Sequence, residues 1–174
     1  IILQKNVDIL ENQDAGHVHD LLATLGAEMT LQAIKNISND AVIYTPQSSH
    51  GISYAHKIKK QDEIINFNKD GKDLINQIRG LSPYPGAYFK TTEKKYKIFS
   101  ASFDKNSHNY APGKIFEDGK KIACQNGFIL PKIIQKEGKR KRKGGGRRDI
   151  GDHHRSKGLA AATEERTLGR KKLE

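Results

Sequence analysis

The sequence predicts an α+β chain: the end of an α/β unit, a linker, a small antiparallel barrel of OB-like type, and a disordered basic tail. Three observations carry this. Apolar residues recur at helical spacing over 14–37 and again over 70–80. Between 87 and 136 the period falls to two. After residue 138 the composition changes abruptly.

Taken in order, residues 1–9, IILQKNVDI, read as an apolar, β-prone strand. Asp14 then stands where a helix N-cap belongs, and Val18, Leu21, Leu22, Leu25, Met29, Ile34 and Ile37 continue at helical spacing. A strand followed by a helix is the ending of an α/β unit, so 1–40 is assigned to one. Residues 41–69 hold no steady period and read as a linker. The second helix, roughly 70–80, puts Leu74, Ile75, Ile78 and Leu81 on one face and Lys69, Lys72, Asn76 and Arg79 on the other.

The stretch RGLSPYPGAYFK, 79–90, ends that helix. Pro83 and Pro85 each fix φ near −65° and push Ser82 and Tyr84 out of the α region. Gly86 admits a turn that other residues resist. The result is a rigid elbow, from which a strand starts at Ala87. In YKIFSASF, Phe99, Ala101 and Phe103 alternate against Tyr96, Ile98 and Ser100. Asp118-Gly119 and Asn126-Gly127, between apolar runs, are two-residue hairpin signals. Several short strands joined by tight turns over 70–138 predict the barrel.

The tail, 139–174, is rich in Arg and Gly, has one Ile and no aromatic residue, and cannot offset its ordering entropy. A short helix near 158–168 is the exception. The net charge is +11, and 13 basic against 5 acidic residues lie in this tail. The other 138 residues hold 18 and 15, so most of the excess sits in the last 36. A basic balance points to an anionic partner.

Several chemistries are disfavoured. No apolar run is long enough to span a membrane. Cys124 is the lone cysteine, which rules out an intramolecular disulfide or a cysteine zinc site, and as a strand residue it reads as packing. His17 and His19, two apart on a helix, diverge; His153 and His154 fall in the tail; no metal is expected. Asn106 and His108 read as a solvated loop. Tyr84, Tyr88 and Phe89 are able to stack bases, yet read first as a wedge between two packed units. KRKRK, 139–143, is either a nucleic-acid-binding run or part of a foreign tail. With no starting methionine and no leader, the chain reads as a piece that begins mid-domain, in a reducing, cytoplasmic setting.

The segment GISYAHKIKKQDEIINF, a helix, and then LSPYPGAYF resemble the interdomain region of the methionyl-tRNA formyltransferases. The matching positions are Tyr54, Ala55, Lys57 and Ile58, then Pro83, Tyr84, Pro85, Gly86 and Ala87. DAGHVHDLLATLGAEM is similar to the last helix of that family's Rossmann-like formyl-folate domain, and PGKIF, DGKKIAC, NGFILPKIIQ and EGK to successive barrel strands. The resemblance runs from residue 1 to about 139. Ile65-Asn66-Phe67 replaces the family's usual Ile-Asp-Trp, and the apolar segment that usually closes the barrel after Gly138-Lys139 is absent.

The resemblance implies formyl transfer from 10-formyltetrahydrofolate to the amino group of initiator methionyl-tRNA, without a metal. Its catalytic residues would precede Ile1, so the piece alone is expected to be inactive and monomeric. It also implies tRNA binding through Lys57, Lys59 and Lys60 in the linker, Lys69, Lys72 and Arg79 along the second helix, and Lys114, Lys120 and Lys121 beside the hairpin turns. Such lysines suit phosphate contacts, which depend on charge more than on base identity. Two other readings compete. One is another formyl-folate enzyme, such as a formyltetrahydrofolate hydrolase or a sugar-nucleotide formyltransferase; the other is a non-catalytic RNA-binding barrel.

Overall fold

The computed structural model of the protein describes residues 1–144. Helix α1, Ala15–Ser38, starts where the sequence places it: Asp14 accepts the His17 N–H at 3.0 Å through Oδ1. None of its residues is buried, and Leu21, Leu22, Leu31, Ile34 and Ile37 are exposed. The expected strand over 1–9 does not form. A strand exists only when a neighbour takes up its backbone groups. Here Ile1 alone is met on both sides, donating to Thr45 O at 2.7 Å and accepting from Thr45 N at 3.0 Å.

Helix α2, Gly71–Gly80, is capped by Asp70, whose Oδ1 accepts the Lys72 N–H at 2.7 Å. Leu74 and Ile78 are buried on the predicted face, with Leu81 just beyond. The elbow comes next, with both X-Pro bonds cis. Gly86 has φ +85°, donates its N–H to Leu81 O at 2.7 Å, and leaves its missing Cβ's space to the Phe99 ring. Ser82, buried, places Oγ 2.8 Å from Ile78 O and 2.7 Å from Phe99 O, tying helix end to sheet.

The elbow also receives α1. Gly16 N donates to Ser82 O at 3.1 Å, and Arg79 Nη1 donates to Leu10 O at 2.9 Å. Of the three aromatics expected to wedge, Tyr88 and Phe89 are buried, whereas Tyr84 is 85 % exposed.

Six antiparallel strands complete the chain as described: β1 Ala87–Lys90, β2 Lys95–Asp104, β3 Ile115–Phe116, β4 Lys121–Cys124, β5 Gly127–Lys136 and β6 Arg142–Lys143. Their order is β1-β2-β5-β4-β3, with β6 also on β5. Strand β2 occupies one edge of β5 along its length, so β4 and β6 share the other edge at opposite ends. Among the described residues the sheet is open, so the expected OB-like barrel is not confirmed. The physical reason lies at its two ends. Strand β3 is two residues long, and the outer edge of β1 is taken by the linker, through Tyr88 N to Glu63 O at 2.8 Å and Ile65 N to Tyr88 O at 2.7 Å. Among the described residues no edge is left with the length a closing pair needs.

The strand alternation also departs from the simple period. Tyr96 and Ile98 lie in the core, but so do Ala101 and Phe103, and Phe99 does not join them. A register irregularity between Ile98 and Ala101 exchanges the faces of β2 and, opposite it, of β5, where both Ile129 and Ile134 point inward. Both expected hairpins exist, with different turns. Gln125 and Asn126 link β4 to β5, and Glu117–Lys120 link β3 to β4. Gly127 is required by closeness, not φ: a Cβ there would lie 2.3 Å from Asp104 O. The core joins Leu74, Ile78 and Leu81 of the α2 region to Ile98, Ile122, Ile129 and Ile134 of the sheet. Ile65 and Phe67 of the linker belong to it too. Residues 145–174, the rest of the expected disordered tail and its short helix, lie outside the described residues.

Candidate nucleic-acid interface

Of the nine basic residues singled out by the sequence, eight fall into three groups and Arg79 stands apart from them. Lys57, Lys59 and Lys60 are exposed on the linker. Asp62 Oδ2 accepts the Lys59 N–H at 2.8 Å and Asp62 O accepts from Gln77 Nε2 at 2.8 Å, so the trio leads into a turn fastened to α2. Lys69 and Lys72 are exposed at the start of α2, beside the β4–β5 hairpin, where Gln125 N donates to Lys69 O. Asp70 and Asp73 lie among them, so the local positive charge there is partly offset.

Lys114, Lys120 and Lys121 lie on the β3–β4 hairpin. Two of them share one aromatic cluster. Lys114 Nζ is 4.6 Å from the Tyr110 ring centre and 5.2 Å from that of Phe116; Lys121 Nζ is 3.9 Å from that of Phe128 and 3.5 Å from Asp104 Oδ2. The ammonium heads themselves sit over the ring faces, a cation–π arrangement. Lys121–Asp104 is the one lysine–carboxylate ion pair among the described residues.

Arg79 stands apart. Its Nε donates to Asn76 Oδ1 at 3.0 Å and its Nη1 to Leu10 O at 2.9 Å. The guanidinium therefore tethers the approach to α1, a task that a charge-pattern reading of one helix does not reveal.

His108, read as a loop residue, belongs to the same aromatic cluster, with its ring 4.4 Å from Phe128. Tyr110 N donates to its Nδ1 at 3.1 Å, so Nδ1 is the acceptor and Nε2 carries the proton, donating to Gly127 O at 2.8 Å. Both nitrogens are occupied and the ring is a structural clamp. Asn106 is turned back on Asp104. Cys124 is fully buried, and burial pushes its thiol up, in keeping with a packing role. Among the described residues no group of three or more His, Cys, Asp or Glu side chains is placed to hold a metal, and no helix is long and apolar enough to cross a membrane.

Residues 57–145 match the family "Formyl transferase, C-terminal domain". The chain is 34 % identical over 140 residues to methionyl-tRNA formyltransferase of Rickettsia bellii, covering 80 % of this chain and 45 % of that protein. The corresponding protein of Rickettsia canadensis is 35 % identical over 140 residues, with 80 % and 46 % covered. The chain thus spans about half the length of the curated relatives it matches. Among solved structures, a HypX variant from Aquifex aeolicus superposes with a TM-score of 0.55 at 16 % identity, over 79 % of this chain and 26 % of that one. HypX in complex with tetrahydrofolic acid gives 0.50 at 17 %, over 67 % and 21 %. These two likenesses speak for the fold alone. The chain belongs to the formyl transferase family, and residues 57–145 are its C-terminal domain.

Proposed function

We propose that this chain is the tRNA-gripping part of a methionyl-tRNA formyltransferase, an enzyme of translation initiation acting in the cytoplasm. In this reading the whole protein delivers a formyl group from 10-formyltetrahydrofolate to initiator methionyl-tRNA, and this piece, a monomer, is inactive alone. The observation that carries the reading is the 140-residue similarity to methionyl-tRNA formyltransferases, which runs through the linker lysines, elbow and sheet.

Asn106 and His108, the pair that invites a catalytic reading, are not placed for the formyl donor's reacting end. Formyl transfer to an amine needs a general base and donors aimed at the tetrahedral oxyanion. His108 has both nitrogens engaged and Asn106 is bonded to Asp104. No step of the transfer is therefore assigned to this chain. Its contribution is charge: Lys57, Lys59 and Lys60 on the linker, Lys69 and Lys72 at α2, and Lys114, Lys120 and Lys121 on the hairpin meet phosphates, while Arg79 holds the surface in place.

The test is binding of transcribed initiator tRNA by the full chain at several salt concentrations. The triple change Lys57→Ala, Lys59→Ala, Lys60→Ala is expected to weaken binding several-fold and to flatten the salt slope, by ~0.7–0.9 for each phosphate no longer neutralised. Unchanged affinity would remove the linker from the interface. Tighter binding of a nucleotide sugar than of tRNA would favour a sugar-nucleotide formyltransferase instead.

A further inference from the structure

A second set of cations, separate from the linker and hairpin lysines, lies on the face of the sheet opposite α2. Lys97 pairs with Tyr88 on one side and with Gln135 on the other. Lys95 lies two residues before Lys97 on the same strand and so shares its face. Across the sheet, β6 pairs Arg142 with Ile134, which puts Lys141 opposite Gln135, in the same row as Lys97. Side-chain contacts agree with this placement. A Cβ on Gly86 would meet both Phe99 Cε1, at 2.7 Å, and Lys97 Cδ, at 3.3 Å, so Lys97 and Phe99 flank one glycine.

Each ammonium is seated by a neutral group. Lys95 Nζ is 3.8 Å from the Tyr88 ring centre and Lys141 Nζ is 3.7 Å from that of Phe99. Lys97 Nζ donates to Pro85 O at 2.6 Å, which leaves two of its three donors for a ligand. Glu93 and Glu137 are the nearby acids in sequence, and Glu137 N donates to Lys95 O at 2.9 Å. Neither carboxylate comes within 4.0 Å of these ammoniums, since among the described residues the one lysine–carboxylate pair is Lys121–Asp104. Three cations are thus pre-positioned without being neutralised.

We propose that Lys95, Lys97 and Lys141 form a second RNA-docking surface on the helix-free face of the sheet, recognising the sugar-phosphate backbone. Strands lie about 4.8 Å apart, so Lys97 and Lys141, two strands apart, are separated by about 10 Å at the backbone. Three cations set out over three strands suit successive phosphates of a polyanion. Tyr84, 85 % exposed and next to Pro85, offers a ring at the border of the patch for a base or ribose to pack on. The inference rests on the RNA-binding reading of the proposed function and adds a separate surface to it.

The experiment compares three forms of the full chain with transcribed initiator tRNA as the probe: the parent, the linker triple variant, and Lys95→Gln, Lys97→Gln, Lys141→Gln. Circular dichroism and thermal unfolding establish that each is folded. A fourth form, with all three replaced by Arg, keeps the charge and serves where the Gln variant fails to fold. The sheet-face Gln variant is expected to bind several-fold more weakly, with the salt slope reduced by ~2–3, and the Arg variant to retain binding. In the parent, the three lysines are expected to be protected by tRNA from acetylation. Loss of binding in the linker variant but not the sheet-face variant, with no protection of Lys97, would overturn this inference and leave the function standing. No tRNA binding by the parent would overturn the function itself.

Discussion

Asn126 reaches back 55 residues to the first turn of α2, where its Oδ1 accepts the Gly71 N–H at 2.9 Å and its Nδ2 donates to Asp70 Oδ2 at 2.6 Å. One amide side chain thereby satisfies an orphan donor of the helix and orients the capping carboxylate, whose other oxygen accepts from Lys72 N. The β4–β5 hairpin and α2 are joined here by hydrogen bonds as well as by the core. Removing these bonds with Asn126→Ala should destabilise the domain by about 1–3 kcal/mol. Asn126→Asp should be worse at pH 7 than at pH 4, because it sets a second carboxylate against Asp70. Urea unfolding of both variants at the two pH values checks this; equal destabilisation at each pH would mean the Asp70 contact does not matter.

Phe103 fills space that two glycines leave open. A Cβ at Gly71 would lie 2.1 Å from Phe103 Cε2, and one at Gly127 would lie 2.7 Å from the same atom and 2.3 Å from Asp104 O. Gly71→Ala should cost about 1–3 kcal/mol by overpacking, and Phe103→Leu in the same chain should recover part of it. Gly127→Ala should not be rescued in this way, because its second obstacle is backbone. Thermal melts of the two single and two double variants decide the matter.

Asp14 supplies a pH-dependent contribution at the start of α1. Burial pushes its carboxyl up, but the His17 N–H, the His17 side-chain hydrogen bond and charge, and the Gly16 N–H together outweigh this and hold it below its ordinary value. A depressed carboxylate stabilises the fold above the unfolded value of about 3.9, and that stability is lost as pH falls through the lower folded value. Thermal unfolding from pH 7 to pH 3 should show this loss in the parent. Asn also caps helices, so Asp14→Asn should keep most of the stability at pH 7 and lose less of it on acidification; Asp14→Ala should cost about 1 kcal/mol at neutral pH.

Local chemistry was legible in advance where it acts within a few residues. Asp14 was readable as a cap because a side-chain oxygen three positions before a free N–H is a local arrangement; Asp70 caps α2 in the same local way and was not singled out. The elbow was readable because proline and glycine restrict the backbone wherever they stand. The basic residues were visible as types, but Arg79 and Lys121 take their partners, Leu10 and Asp104, from distant segments. Lys141 was legible only as one of a basic run, and its seat on Phe99, 42 positions earlier in the chain, comes from strand pairing.

By itself, then, the order of amino acids determined the two helices, the cap of the first, the rigid elbow, the antiparallel β character of the segment beyond that elbow and the family to which the chain belongs. Only the folded chain decided that the sheet stays open, that residues 1–9 find no sheet, and which lysines share a face. The reason is that helix starts and turns depend on neighbours along the chain, whereas closure, register and a common face depend on which distant backbone donors and acceptors meet. Two register shifts between Ile98 and Ala101 are enough to exchange the faces of two ten-residue strands.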